Sequence, residues 1–173
     1  MFGTQWTKNA NIQRFMRTAG IDSNRALQGY FNRRLEGILL RRGKVMIAWD
    51  GALDGRLPGD VAIQSWRSSK MTAQSVRSGH PTIVSAGYYL DMRLPAGQHY
   101  LIDPFDTARW GLSPDEMRSL KGTLVGRFLT DAYFNDDPAP LDSGEQQRIL
   151  GGEAPIWAVT PDGLDAALWP RAG

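Results

Sequence analysis

Cysteine is absent from this chain and histidine occurs only twice. Without cysteine the chain has neither a disulfide framework nor a thiolate metal site, although its cellular compartment stays open. The two histidines, His80 and His99, have no acidic residue at ligand-like spacing, which argues against a zinc site. We therefore expect no metal and no cofactor.

Long apolar runs are also missing. No stretch approaches the ~20 residues of a membrane-spanning helix, and the N-terminus lacks the basic and then apolar pattern of a signal peptide.

Positive charge is in small excess, with a formal net charge of +2. The basic pairs at 33–34 and 41–42 fall on one predicted helix, where they are expected to form a solvated face. Neither a membrane nor a nucleic acid is a predicted partner.

Short apolar runs that lead into aromatic or acidic residues are the main pattern present. Four such runs occur at 45–50, 61–67, 83–91 and 149–157. Their separation by helix-length stretches predicts an α/β fold, with parallel strands joined by crossovers. In a (β/α) barrel the C-terminal ends of the strands build the site. Aromatic faces beside isolated carboxylates suit the C–H patches and hydroxyls of a sugar, so a carbohydrate pocket is predicted.

The sequence between these clusters predicts the remaining elements. A helix is expected over 9–18, and a longer one from Ser23 to about 42–43. Strands are predicted at 44–49, 61–66, 82–85 and 149–157, with a short helix at about 71–77, a long loop at 93–110 and a helix start at 112–117. Segment 123–134 fits either a helix or a strand. The long helix carries one apolar stripe that should pack on strand 44–49: Leu27, Tyr30, Phe31, Leu35, Ile38 and Leu39.

The order of the motifs resembles the family 20 glycoside hydrolases, the β-N-acetylhexosaminidases. The motifs are Trp-Asp at 49–50, Ser-Trp-Arg at 65–67, Tyr-Leu-Asp at 89–91, Gly-Gly-Glu-Ala-x-x-Trp at 151–157 and Leu-Trp-Pro-Arg at 168–171. The likeness covers nearly the whole chain but only the second half of the family's barrel. At 173 residues the chain is shorter than the roughly 250 of a complete barrel. The resemblance implies a partial (β/α)8 TIM barrel, strands five to eight with their helices, as one incomplete domain over 1–173.

The resemblance also implies a reaction. Family members hydrolyse terminal N-acetylhexosamines by a substrate-assisted, retaining mechanism in which the acetamide oxygen attacks the anomeric carbon. The acid and the group that orients the acetamide are an adjacent pair in a Gly-Gly-Asp-Glu motif, which this sequence does not contain. Residues 3–6 resemble the loop that follows that pair, so the chain is expected to start just after it. The isolated chain should therefore be inactive.

Five residues receive roles from the resemblance. Trp49, Trp66 and Trp157 match the aromatic box around the acetamide, although ordinary packing explains each of them equally well alone. Tyr89 matches the tyrosine that donates to the acetamide carbonyl, as a phenol uncharged at neutral pH can. Asp91 matches a carboxylate that accepts sugar hydroxyls.

Other residues near these motifs are left with structural roles or open ones. Asp50 either holds its loop or lines the pocket. Glu153 is predicted to be structural, with a partner such as an arginine, and Tyr88 is expected to pack. The family usually has a glutamate where this chain has Val159, and often an acid where it has Gly51.

Two other hypotheses about the function stay open. One is a non-catalytic N-acetylglucosamine-binding module, and the other is an unrelated α/β enzyme with Asp50 or Asp91 as a base. By resemblance the partners are glycans that contain N-acetylglucosamine or N-acetylgalactosamine, and the parent enzyme would be a periplasmic or secreted bacterial one. The edges and helix faces of a half barrel also predict self-association.

Overall fold

A four-stranded parallel sheet forms the centre of the protein. The computed structural model describes residues 4–91, 96–106, 115, 118, 140–157 and 160–169. In these ranges the strands are β1 (Ile47–Trp49), β2 (Ala62–Ser65), β3 (Thr82–Val84) and β4 (Ile149–Gly152), in the spatial order β1-β2-β3-β4. All neighbouring pairs are parallel, so the α/β prediction is confirmed. The predicted strands were one to five residues too long: the excess lies at the N-terminal end for β1, at both ends for β2, and at the C-terminal end, where the chain leaves the ladder, for β3 and β4.

Helices lie before, between and after the strands. They are α1 (Thr4–Lys8), α2 (Ala10–Thr18), α3 (Asn24–Leu40), α4 (Ser69–Arg77), α5 (Ala96–Tyr100), α6 (Ser143–Gln146) and α7 (Leu164–Leu168), with 3-10 segments at Asp50–Gly55 and Pro161–Gly163. The side chains of Asn9, Ser23 and Ser68 cap α2, α3 and α4 by accepting backbone N–H bonds. These caps confirm the predicted starts of the first two long helices. Among the helices described, none is long and apolar enough to span a membrane.

One buried apolar cluster lies between β1, β2 and the end of α3. Met46, Val61 and Ile63 form its buried centre, and the partly buried residues packed around it are Leu39, Ala48, Leu53 and Leu57. Next to this cluster, toward β3, hydroxyl groups join α4 to the sheet. Ser65 Oγ lies 2.9 Å from Thr72 Oγ1, and Ser75 Oγ lies 2.7 Å from Thr82 Oγ1, all fully buried. We call these four residues the hydroxyl seam.

The predicted packing of α3 was wrong. Half of its apolar stripe is exposed, with Phe31 at 56%, Ile38 at 46% and Leu35 at 36%, and of the partly buried half Leu39 packs on the core. The buried face carries Gly29, Asn32 and Glu36 instead. This face is buried because α3 makes its main contacts with the 3-10 segment Asp50–Gly55.

Glycine explains how closely α3 and the 3-10 segment approach each other. A Cβ built on Gly29 would lie 2.5 Å from the carbonyl oxygen of Gly55. Arg33 Nη1 also donates to that oxygen at 2.7 Å, and Arg25 pairs with Asp54 at 2.8 Å. Backbone contact and these bonds therefore set the orientation of α3, and the apolar stripe does not.

The last strand contains a bulge. Thr82 pairs with Ile149 whereas Ile83 pairs with Gly151, so Leu150 is an extra residue. Gly151 adopts φ 138°, a conformation that favours glycine. Past the bulge the Glu153 amide donates to the Val84 carbonyl at 2.9 Å. This bond holds Glu153 beside β3 at the C-terminal end of the sheet.

Several predicted segments lie outside the described residues in whole or part. Segment 123–134 is entirely outside, as is Val159, and of the helix start at 112–117 only Asp115 is described, within a helix. The predicted loop at 93–110 contains α5 in its described part, so it is not irregular throughout.

Candidate active site

A cavity of about 950 Å³ runs along β1 and beside α3 to the C-terminal ends of the strands. Its wall includes Trp49, Trp66, Arg67, Tyr89 and Trp157. These residues come from the ends of β1 and β2, from the loop after β3 and from the loop after β4. The structure thus places four of the five sequence-predicted site residues around one space.

The aromatic wall of this cavity closes across the sheet. Trp49 ends β1 and Trp157 follows β4, which are the two edge strands in the described sheet. Their ring centroids nevertheless lie 5.7 Å apart with the planes tilted by 57°, whereas three strand spacings on a flat sheet amount to about 14 Å. The chain after β4 therefore reaches back over the strand ends to β1. Both indoles stay partly accessible, with Trp49 39% and Trp157 67% exposed.

Asp50 links the ends of β1 and β2. Its carboxylate is fully buried. Oδ2 accepts the backbone N–H groups of Trp66 and Arg67 at 2.9 and 3.1 Å, and Oδ1 accepts from Arg67 Nε at 2.6 Å. The sequence left two roles open for Asp50, namely to hold its loop or to line the pocket. The structure shows a structural role, because the carboxylate holds the 66–67 turn and does not line the cavity.

Glu153, which follows β4, connects the ends of β2, β3 and β4. Its Oε2 accepts from Ser85 Oγ at 2.6 Å and also from Gln64 Nε2. The hydrogen-bond partners are thus a hydroxyl and an amide, whereas the sequence suggested an arginine. Serine and glutamine stabilise the carboxylate without neutralising it, so its negative charge remains next to the cavity.

That charge acts on Tyr89. Burial raises the pKa of the Tyr89 phenol to about 12, with further contributions from the negative charges of Glu153, Asp50 and Asp91. The group thus stays protonated at neutral and moderately alkaline pH. A neutral phenol in the cavity wall can donate a hydrogen bond to a ligand oxygen.

Asp91 and Tyr88 lie outside the cavity wall and bond to neighbouring loops. Asp91 Oδ2 accepts the backbone N–H of Trp157 at 3.0 Å, so this carboxylate fixes the loop that carries an indole of the wall. Asp91 does not line the cavity. Tyr88 packs its ring on Gly152 and donates from its hydroxyl to the Ile102 carbonyl at 2.9 Å. Burial raises the pKa of the Tyr88 phenol, with a smaller effect from Asp103.

Arg67 is a cavity residue that sequence reasoning did not single out, as are Gln28 and Asn32 of α3. It lines the cavity and forms the ion pair with Asp50. Its position in the Ser-Trp-Arg motif, directly after an indole of the wall, was the available signal.

Within the described residues, no group of three or more His, Cys, Asp or Glu side chains is arranged to hold a metal ion.

Comparison with known proteins decides the family. The profile of "Glycosyl hydrolase family 20, catalytic domain" matches residues 1–173. The chain belongs to glycosyl hydrolase family 20. It is 30% identical over 152 residues to "Beta-hexosaminidase subunit beta" of Entamoeba histolytica, which covers 87% of this chain and 25% of that protein. It is 28% identical over 172 residues to "Beta-hexosaminidase subunit A2" of Dictyostelium discoideum, covering 96% of this chain and 28% of that protein.

The fold of this family 20 chain is also found in solved structures. The chitobiase of Flavobacterium johnsoniae superposes with a TM-score of 0.71 at 29% identity, over 98% of this chain and 23% of that one. The chain thus spans about a quarter of the length of these relatives. The sequence-based assignment to family 20 is confirmed.

Proposed function

We propose that this chain is the C-terminal half of a β-N-acetylhexosaminidase barrel, strands five to eight, forming one incomplete domain over 1–173. The observation that carries the proposal is the convergence of Trp49, Trp66, Trp157 and Tyr89 on one cavity at the C-terminal ends of parallel strands. Family membership and the names of the relatives, which are beta-hexosaminidases, support the activity.

In this proposal the three indoles enclose the acetamide of a terminal N-acetylhexosamine. Indole faces exclude water and stack on the methyl group, and they restrict the acetamide to a pose from which its oxygen can reach the anomeric carbon. Proximity and orientation are the protein's contribution here, because the nucleophile belongs to the substrate. In the complete enzyme the bond from the anomeric carbon to the leaving oxygen breaks as the acetamide oxygen bonds to that carbon.

Tyr89 is the proposed donor to the acetamide carbonyl. Its raised pKa keeps the hydroxyl proton in place, and a neutral donor can polarise and orient the oxygen without adding charge. Asp91 is proposed to accept sugar hydroxyls, although in this structure its Oδ2 holds the Trp157 loop. The general acid and the acetamide-orienting carboxylate are not in this sequence. The isolated chain is therefore proposed to bind and not to turn over.

A direct test measures binding and turnover separately. Titration of the folded chain with N-acetylglucosamine, followed by tryptophan fluorescence, should show saturable binding that glucose does not reproduce. Trp66→Ala and Tyr89→Ala should each weaken it. Turnover of a chromogenic N-acetylglucosaminide should be absent from the chain and present in a polypeptide that also supplies the Asp-Glu pair. A folded chain that does not distinguish N-acetylglucosamine from glucose would contradict the proposal.

The second candidate is a non-catalytic N-acetylglucosamine-binding module. It is favoured by one observation, namely that the residues of this chain suffice to form the aromatic cavity. Both candidates predict binding, and they differ in turnover. Saturable binding together with inactivity of the full-length protein would favour the module.

A further inference from the structure

Asp50 lies next to the aromatic cavity but not in its wall. It directly follows Trp49, is 0% exposed, accepts the backbone N–H groups of Trp66 and Arg67, and pairs with the Arg67 guanidinium. A group in this position cannot touch a ligand without rearrangement of the wall. Whatever Asp50 contributes to binding must act through the residues that it holds.

The bonds of Asp50 continue the connection between β1 and β2 beyond the end of their ladder. The last paired residues are Trp49 and Gln64. Past this point the Asp50 carboxylate, in place of a backbone carbonyl, accepts the N–H groups of the next turn. Since Trp49 is adjacent to the acceptor and Trp66 carries one of the donors, the carboxylate fixes one indole relative to the other.

Arg67 completes this arrangement. Its guanidinium contacts Asp50 through Nε, and Nη2 is buried with no partner among the described residues. Since the Arg67 side chain lines the cavity, loss of the ion pair would release part of the wall. The pair thus has two effects at once, since it compensates a buried negative charge and holds a wall residue.

We propose that Asp50, paired with Arg67, is a positioning residue that sets the separation of the Trp49 and Trp66 indoles and thereby the preference of the cavity for acetamido sugars. This inference rests on the proposed function. A carboxylate is required because both of its oxygens accept from donors. An asparagine at this position would turn an N–H₂ group toward a donor and leave one side unsatisfied.

The experiment compares Asp50→Asn with Asp54→Asn in the full-length protein. Asp54 lies on the same 3-10 segment and pairs with the exposed Arg25, so it is a matched control away from the cavity wall. The readout is the ratio of affinities for N-acetylglucosamine and glucose, together with near-ultraviolet circular dichroism of the tryptophans. We expect Asp50→Asn to lower the ratio about tenfold and to alter the dichroism, and Asp54→Asn to leave both unchanged. A role limited to stability would lower the melting temperature and keep the ratio.

A second variant keeps the inference testable if Asp50→Asn does not fold. Arg67→Gln removes the ion pair while the backbone bonds to Asp50 remain, and it should reduce the ratio by a smaller factor. A folded variant of either kind with an unchanged ratio and unchanged dichroism would overturn the inference. If the unmodified protein does not distinguish the two sugars, the proposed function fails; the dichroism then still shows whether Asp50 positions the indoles.

Discussion

The indole rings of Trp49, the last residue of β1, and Trp157, which follows β4, lie 5.7 Å apart although β1 and β4 are the two edge strands of the described sheet. The contact requires the chain after β4 to reach back across the strand ends to β1. It also places two exposed aromatic faces on the same opening.

Replacement of Trp157 by alanine should weaken N-acetylglucosamine binding by about tenfold. The reason is the loss of a stacking surface that lines the cavity, since burial of a large apolar side chain contributes about 1.5–3 kcal/mol. Trp169→Ala is the matched control, because Trp169 is 55% exposed and does not line the cavity. Isothermal titration calorimetry measures both variants. Equal effects of the two substitutions would argue against Trp157 as a ligand contact.

The Tyr89 phenol should titrate late in an alkaline series. Its pKa is raised to about 12 in the folded protein, whereas a tyrosine in the unfolded chain ionises near 10. The unfolded state therefore releases a proton first, and stability should fall as the pH rises from about 10 to 12. Chemical denaturation at several pH values should show this slope, and Tyr89→Phe should reduce it.

The variant Glu153→Gln should lower the pKa of Tyr89, because it removes one of the negative charges that raise this pKa. Absorbance of the tyrosinate against pH measures the midpoint.

Gly29→Ala should destabilise the protein, whereas Gly37→Ala should not. The added Cβ at position 29 would lie 2.5 Å from the Gly55 oxygen, and α3 would have to move away from the 3-10 segment, at a cost of about 1–3 kcal/mol. At position 37 of the same helix the nearest atom is 3.7 Å away. There alanine should stabilise by up to about 1 kcal/mol through its higher helix propensity. Urea denaturation of both variants measures the difference.

The isolated chain should associate with itself. β1 and β4 are unpaired on one side in the described sheet, and apolar residues near them are exposed, with Val45 at 69% and Leu150 at 62%. The solvent-facing stripe of α3 adds Phe31 and Ile38. Light scattering after size-exclusion chromatography should show dimers or larger species. A monodisperse monomer that unfolds cooperatively would contradict this expectation and the half-barrel proposal together.

Local patterns in the sequence predicted the parallel strands and the starts of α2 and α3. A run of apolar residues followed by an aromatic cluster marks a strand end, and Asn9 and Ser23 mark helix starts, because these signals depend on a few neighbouring residues. The same patterns placed Trp49, Trp66, Tyr89 and Trp157 at strand ends, from which the sheet brings them to one cavity.

Contacts between distant residues were beyond this reasoning. The orientation of α3 depends on the approach of Gly29 to Gly55, and an apolar stripe contains no information about it. The partners of Glu153 likewise come from two other strands, Gln64 in β2 and Ser85 after β3. Arg67 was not selected because its role appears only once Asp50 is seen to hold the turn that contains it.

The hydroxyl seam limits how α4 can slide. A helix held by apolar side chains can move a fraction of a turn with little loss, because such contacts have no direction. Hydrogen bonds between Ser65 and Thr72 and between Ser75 and Thr82 do have direction, and a small translation would break both of them at once. Because α4 begins two residues after Arg67, this resistance to sliding also keeps the 66–67 turn at a constant height above the sheet.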